Sequence, residues 1–145
     1  MVLPIESSEE TILGYWLTSE SIVEIKVCDQ NICAQIEHIF VEEGEDPLSI
    51  LDANNQDEDL RSRPLIGINL FDGFEEDQKL DKVLKGGKIY NPRDGKFYKS
   101  KLNFLENGNL TVQGCILFLC DGEEWQPIEV TLNPDGSRQA KPKNP

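Results

Sequence analysis

Apolar and polar residues alternate with a period of two along much of the chain, and that period predicts strands with one buried face. Val23, Ile25 and Val27 alternate with Glu24 and Lys26. In the next segment Ile32, Ala34, Ile36, His38 and Phe40 share one face, with Gln35 and Glu37 on the other. Ahead of both, Ile12-Leu13-Gly14-Tyr15-Trp16-Leu17-Thr18 is short, aromatic and β-branched enough for a first strand. A further strand is predicted over residues 65–71, closed by Asp72-Gly73 as a turn. Asn91-Pro92-Arg93-Asp94-Gly95 supplies a proline with preset φ and a glycine free to take positive φ, so Ile89-Tyr90 and Phe97-Tyr98 are expected to pair as a hairpin. Leu102-Asn103-Phe104-Leu105 ends a strand, Glu106-Asn107-Gly108-Asn109 turns, and Leu110-Thr111-Val112-Gln113-Gly114 returns. The last strand runs through residues 124–130.

About eight strands, turn signals between most neighbours and no long helix predict an all-β domain, an up-and-down antiparallel barrel without exposed sheet edges. The barrel is expected over residues 12–132, after a polar arm at 1–11 and before a loose, Pro-rich tail at 133–145. Two acidic excursions, 42–60 and 75–81, read as solvated connections. Asp52-x-Asn54-x-Gln56 is not a calcium loop, because Asp57 stands where glycine is needed and Arg63 where a bidentate glutamate should be.

A length of 145 residues fits one domain with one core. The 27 acidic and 14 basic residues give a net charge of −13, which repels phosphate backbones and anionic membranes and excludes nucleic acid as an expected partner. No apolar run reaches the roughly 18 residues of a membrane-spanning helix. The N-terminus lacks the basic and then apolar regions of a signal peptide.

Four cysteines lie in two segments, each pair separated by four residues. They admit three disulfide connectivities or one metal site using every thiolate. Zinc knuckles generally place two residues between ligands, so the spacing favours disulfides, with Cys28–Cys33 and Cys115–Cys120 the expected pairs and no metal. If Gln30-Asn31 is a two-residue turn, Cys28 stands directly opposite Cys33. Disulfides imply an oxidising compartment, so the expected location is periplasmic or secreted.

The stretch Arg61-Ser62-Arg63-Pro64-Leu65-Ile66-Gly67, then Gly86-Gly87-Lys88-Ile89-Tyr90-Asn91-Pro92 with Gly95-Lys96-x-Tyr98, resembles the signature of a family of small exported bacterial proteins. That family is known as a domain of unknown function with a lipocalin-like (calycin) β-barrel. Gly14-x-Trp16 and the two cysteine segments share the likeness, which covers roughly residues 12–130. The resemblance implies the barrel and an export signal removed from the mature chain, and it implies no reaction. It also implies that Trp16 closes one end of the barrel. In lipocalins a basic residue from the last strand lies over this Trp, but here that strand reads Glu124-Trp125-Gln126-Pro127-Ile128-Glu129-Val130, without the expected Arg.

Little in the chain points to catalysis, and no enzyme activity or cofactor is expected. His38 is the lone histidine and sits on an apolar alternation, as a core or pocket-lining residue would. Gly86-Gly87 precedes a strand rather than a helix, so its amides join a ladder instead of cradling an anion. An esterase-like or isomerase-like activity in the lumen is the minor alternative.

Binding has more material. A barrel of about eight strands just holds side chains or one small ligand. Lys88 and Tyr90 share a face of one strand, and Lys96, Tyr98 and Ser100 share a face of the next. Arg61 and Arg63 either pair with Asp57, Glu58 or Asp59 and cap carbonyls, or form a cationic clamp for an acidic head group. The expected function is therefore binding of a small lipophilic or acidic molecule by Trp16, His38, Arg61, Arg63, Lys88, Tyr90 and Tyr98, in a monomer or weak homodimer. The alternative is an envelope interaction module with a filled barrel. Its contact surface would be the apolar run Ile116-Leu117-Phe118-Leu119, which is either buried strand or an exposed rim. A cavity of a few hundred Å³ or more separates the first reading from the second.

Overall fold

The computed structural model describes residues 11–143. It contains nine strands among these residues: β1 (Gly14–Leu17), β2 (Ser21–Cys28), β3 (Asn31–Ile39), β4 (Asn69–Glu75), β5 (Val83–Asn91), β6 (Lys96–Phe104), β7 (Leu110–Ile116), β8 (Leu119–Leu132) and β9 (Arg138–Pro142). Each strand pairs antiparallel with the next, and β1 also pairs with β8, which closes the first eight into a barrel. The all-β, up-and-down architecture expected from alternation is the one observed. No helix among the described residues is long and apolar enough to cross a membrane.

Alternation assigns the inward face. Val23 and Ile25 face Ile36 and Ala34 in the β2–β3 ladder, and Leu102 faces both Leu84 and Val112 across β5–β7. All are buried. At one end of the barrel large rings fill the interior. Phe71 stacks on Trp125 at 5.8 Å and meets Phe74 edge-on at 5.3 Å, while Trp16 meets Phe104 edge-on at 6.3 Å. The two edge-on pairs add to area burial because the electron-poor edge of one ring meets the face of another.

Four register shifts account for most departures from simple alternation, one of them between Ala34 and Gln35, because an extra residue reverses which face the following side chains take. Ile22 pairs with His38 and Val23 with Ile36, leaving Glu37 as the extra residue. His38 and Phe40 therefore turn outward, exposed and edge-to-face at 5.4 Å, and Ile39 takes the inward place. The expectation of a lumenal His38 is corrected by that single residue. In β4, Cys33 stands against both Asp72 and Gly73, since Ile32 pairs with Phe74 and Ala34 with Phe71. Gly73, with φ of 84°, is thus a bulge inside β4 and not the expected turn, and the strand begins at Asn69 rather than at Leu65. A further bulge lies between Leu84 and Gly87, where Gly86 has φ of 90°.

The C-terminal segment also differs from expectation. Residues 138–142, expected in a loose tail, form β9 against residues 128–132 of β8, and Arg138 reaches Glu37 at 3.6 Å. The expected arm at 1–11 lies outside the described residues except for Thr11, which accepts a hydrogen bond at Oγ1 from the amide of Leu13.

Candidate functional site

The connections β1–β2, β3–β4, β5–β6 and β7–β8 gather at the end opposite the packed rings. There the barrel opens into a cavity of about 760 Å³. Its wall is largely apolar, with Ile36, Ile39, Ile89, Val112, Ile116 and Leu119 from the strands, Ile50 and Leu65 from the long β3–β4 connection, and Trp125 among the lining residues. Gly114 leaves room in this wall: a Cβ there would come within 3.1 Å of Ile89.

Polar groups at the rim are largely engaged with one another. Glu123 accepts from Trp125 Nε1 at 2.8 Å and from Ser19 Oγ at 3.0 Å. The hydroxyls of Thr18 and Ser21 are 2.7 Å apart, and Arg93 contacts Glu20 at 2.5 Å. Tyr98 donates its hydroxyl to Asp94, a bond that pushes the phenol pKa up and holds the Asp94 carboxyl below its usual range. No buried side-chain nitrogen or oxygen among the described residues lacks a hydrogen-bond partner.

The β3–β4 connection is held over the adjoining sheet by a buried carboxylate. Ile89 and Tyr98 pair on the lumenal side, so the next pair, Tyr90 and Phe97, takes the opposite face. Residues of the connection cover Tyr90 there. Asp52 is 1% exposed and accepts from Tyr90 Oη at 2.6 Å, Asn55 Nδ2 at 2.8 Å and Arg63 Nε at 3.0 Å. Burial, followed by the hydrogen bond to Asp52, pushes Tyr90 up to about 12. Asn54 fastens the same segment to the β5–β6 turn by donating to the carbonyls of Pro92 and Arg93. Gly95 is required beneath it, because a Cβ would lie 1.8 Å from the Asn54 carbonyl oxygen.

Of the residues expected to bind a ligand, Tyr90 and Tyr98 border this cavity. Tyr90 does so although its ring takes the outer face beneath the β3–β4 connection, with its hydroxyl committed to Asp52. Arg61 and Arg63 are elsewhere and already paired. Arg61 donates to the carbonyl of Asn55 at 2.8 Å and lies 3.9 Å from Glu58, and Arg63 is the partner of Asp52. Lys88 sits over the Phe97 ring at 5.0 Å on the outer face. Trp16 belongs to the packed end, where its Nε1 donates to the carbonyl of Ile12 at 2.8 Å. Lys82 covers Phe104 beside it at 4.8 Å, so a cation does reach this end, from the residue preceding β5 instead of from β8. Alternation could have found Val112, Ile116 and Leu119; Asp52 gave no local signal among its acidic neighbours.

Both expected disulfides are present, Cys28–Cys33 and Cys115–Cys120. Cys115 and Cys120 are direct cross-strand partners. Cys28 and Cys33 are not: the turn is Asp29-Gln30, both with positive φ, which places Cys28 against Asn31 and Cys33 against Lys26. Between Cys115 and Cys120 the chain reverses at Leu117-Phe118, and all four apolar residues of the run are exposed. The run is a rim and not a buried strand. No group of three or more metal-ligating side chains is assembled among the described residues.

A closed eight-stranded antiparallel barrel, packed at one end and hollow at the other, defines a lipocalin-like protein. The solved structure of protein HP1028 from the human pathogen Helicobacter pylori, described as belonging to the lipocalin family, is similar to it. The match has a TM-score of 0.68 and 23% sequence identity, over 81% of this chain and 83% of that one, and shows a shared fold. Residues 14–127 match the model of the family described as uncharacterized protein conserved in bacteria (DUF2147), and the chain belongs to that family. No curated protein matches the sequence.

Proposed function

We propose that the open half of the barrel binds one small lipophilic molecule, in the periplasm or outside the cell. The observation that carries this reading is the cavity of about 760 Å³, within the usual size range of small-molecule sites and walled mainly by aliphatic side chains. A packed lumen, as the interaction-module alternative requires, does not accord with that volume. The rim favours a lipophilic over an acidic ligand. Glu20, Asp121 and Glu123 line it against one guanidinium, and that guanidinium is engaged by Glu20.

The reading is of a binder and not an enzyme. The rim hydroxyls of Thr18, Ser19 and Ser21 have no imidazole beside them, since His38 points away from the lumen. Two disulfides in so small a domain support an oxidising compartment.

The test is uptake of the fluorescent probe N-phenyl-1-naphthylamine in lipid-free buffer. Wild-type protein is expected to bind it saturably at one site. Val112→Trp, which projects a larger side chain into the cavity from a buried wall position, is expected to weaken uptake at least tenfold while keeping a cooperative melt. Absence of saturable uptake by the wild type, or equal uptake by a folded Val112→Trp, would overturn the reading.

A further inference from the structure

The most exposed large apolar side chains of the described residues are Leu117 and Phe118, each 87% accessible, at the turn between β7 and β8. This turn cannot easily fold back. Cys115–Cys120 ties its base, and Ile116 and Leu119 pair directly above that bond. Ile116 and Leu119 also line the cavity. The apolar surface is therefore continuous from the outermost tip to the lumen wall. Two more exposed apolar residues, Phe40 and Leu48, stand on the β3–β4 connection at the same end, and Phe40 is tied to the rim by the hydrogen bond its backbone N–H donates to the Glu20 carbonyl.

Three occupants could cover such a tip: a second copy, a protein partner, or a lipid surface. Four tip side chains offer at most a few hundred Å², well short of the roughly 800 Å² per partner that a stable protein interface uses. A narrow apolar prong is instead sufficient for entry into the boundary between head groups and acyl chains, where aromatic and aliphatic side chains partition. The protein's net charge of −13 selects against anionic lipid and leaves zwitterionic lipid as the matching surface.

We infer that the braced β7–β8 tip docks on zwitterionic lipid, so that the cavity mouth opens at the lipid boundary and its ligand passes between bilayer and lumen without crossing water. The passage of ligand rests on the lumenal binding proposed above; the docking does not.

The test uses the full chain with its disulfides intact and phosphatidylcholine vesicles. Both native tryptophans are buried, so Phe118→Trp introduces an exposed reporter. Its emission is expected to shift to the blue on adding vesicles, and wild-type protein is expected to co-sediment with them. Leu117→Ser/Phe118→Ser should lose co-sedimentation by about tenfold while keeping the wild-type melting temperature and probe uptake in lipid-free buffer. Unshifted emission from the Phe118→Trp variant, together with no co-sedimentation of the wild type, overturns the docking, whatever the probe shows. A concentration-dependent dimer in lipid-free buffer that the double substitution abolishes also overturns it, in favour of a second copy. Failure of probe uptake with vesicle binding intact would refute the lumenal site alone.

Discussion

Tyr90→Phe isolates what the Asp52 latch contributes. The substitution removes one hydroxyl and leaves the ring, which packs 5.0 Å from Phe97, in place. Asp52 then loses the 2.6 Å donor to its Oδ1, while Asn55 and Arg63 both address Oδ2. A hydrogen bond to a charged acceptor is worth about 1.5–3 kcal/mol, and stranding a buried carboxylate oxygen places the expected loss near about 2 kcal/mol. For a domain of this size that lowers Tm by roughly 6–8 °C. Tyr98→Phe is the matched control, because its hydroxyl also meets an aspartate, but Asp94 is in contact with solvent. An exposed partner is replaced readily by water, so that change should leave the denaturation midpoint close to that of the wild type. Urea denaturation of the two variants beside wild type measures both effects. If Tyr90→Phe costs no more than Tyr98→Phe, Asp52 does not hold the β3–β4 connection in the way described.

The same latch gives an alkaline signature: because Tyr90 is raised from 10 to about 12 in the folded protein, that form keeps its proton where the unfolded chain loses it. The stabilisation is fully present below pH 10 and is lost as pH rises toward about 12, and Tyr90→Phe should make that decline shallower in pH-dependent urea melts. Gly95→Ala should destabilise by about 2 kcal/mol or more, since it combines a φ of 72° with a clash on the Asn54 carbonyl; a melt unchanged within about 0.5 kcal/mol would contradict the close approach of the connection. Intact-mass measurement without reductant should show the native protein lighter by the hydrogens of two S–S bonds, with no alkylatable thiol. Replacing either cysteine pair by alanine should cost about 2 kcal/mol on the loop-entropy estimate, measured by urea denaturation.

Strands β2, β6 and β7 were legible because their alternation is uninterrupted, and the β5–β6 hairpin because Pro92 and Gly95 carry the turn in their own backbone preferences. His38 shows the limit of that reasoning. One extra residue at Glu37 reverses the face of everything after it, and the apolar spacing alone does not reveal that insertion. Gly73 was ambiguous for a related reason, since a glycine at positive φ serves a turn or a bulge equally well. At the candidate site, the sequence offers Asp57, Glu58 and Asp59 alike as partners for Arg61 and Arg63, and Arg61 lies 3.9 Å from Glu58. Arg63 instead crosses the connection to Asp52, eleven residues earlier, and composition gives no means of choosing that carboxylate among so many. The apolar run 116–119 was recognisable as unusual, but only the register of Cys115 with Cys120 shows it to be an exposed tip sharing residues with the lumen wall.

Methyl-resolved NMR of the protein with N-phenyl-1-naphthylamine tests most directly whether the open half of the barrel is a binding site. The account predicts intermolecular contacts from the probe to the methyl groups of Ile36, Ile89 and Val112, which line the cavity on three different strands. Contacts confined to Leu117 and other exposed side chains, with those three methyl groups unperturbed at saturation, would contradict it.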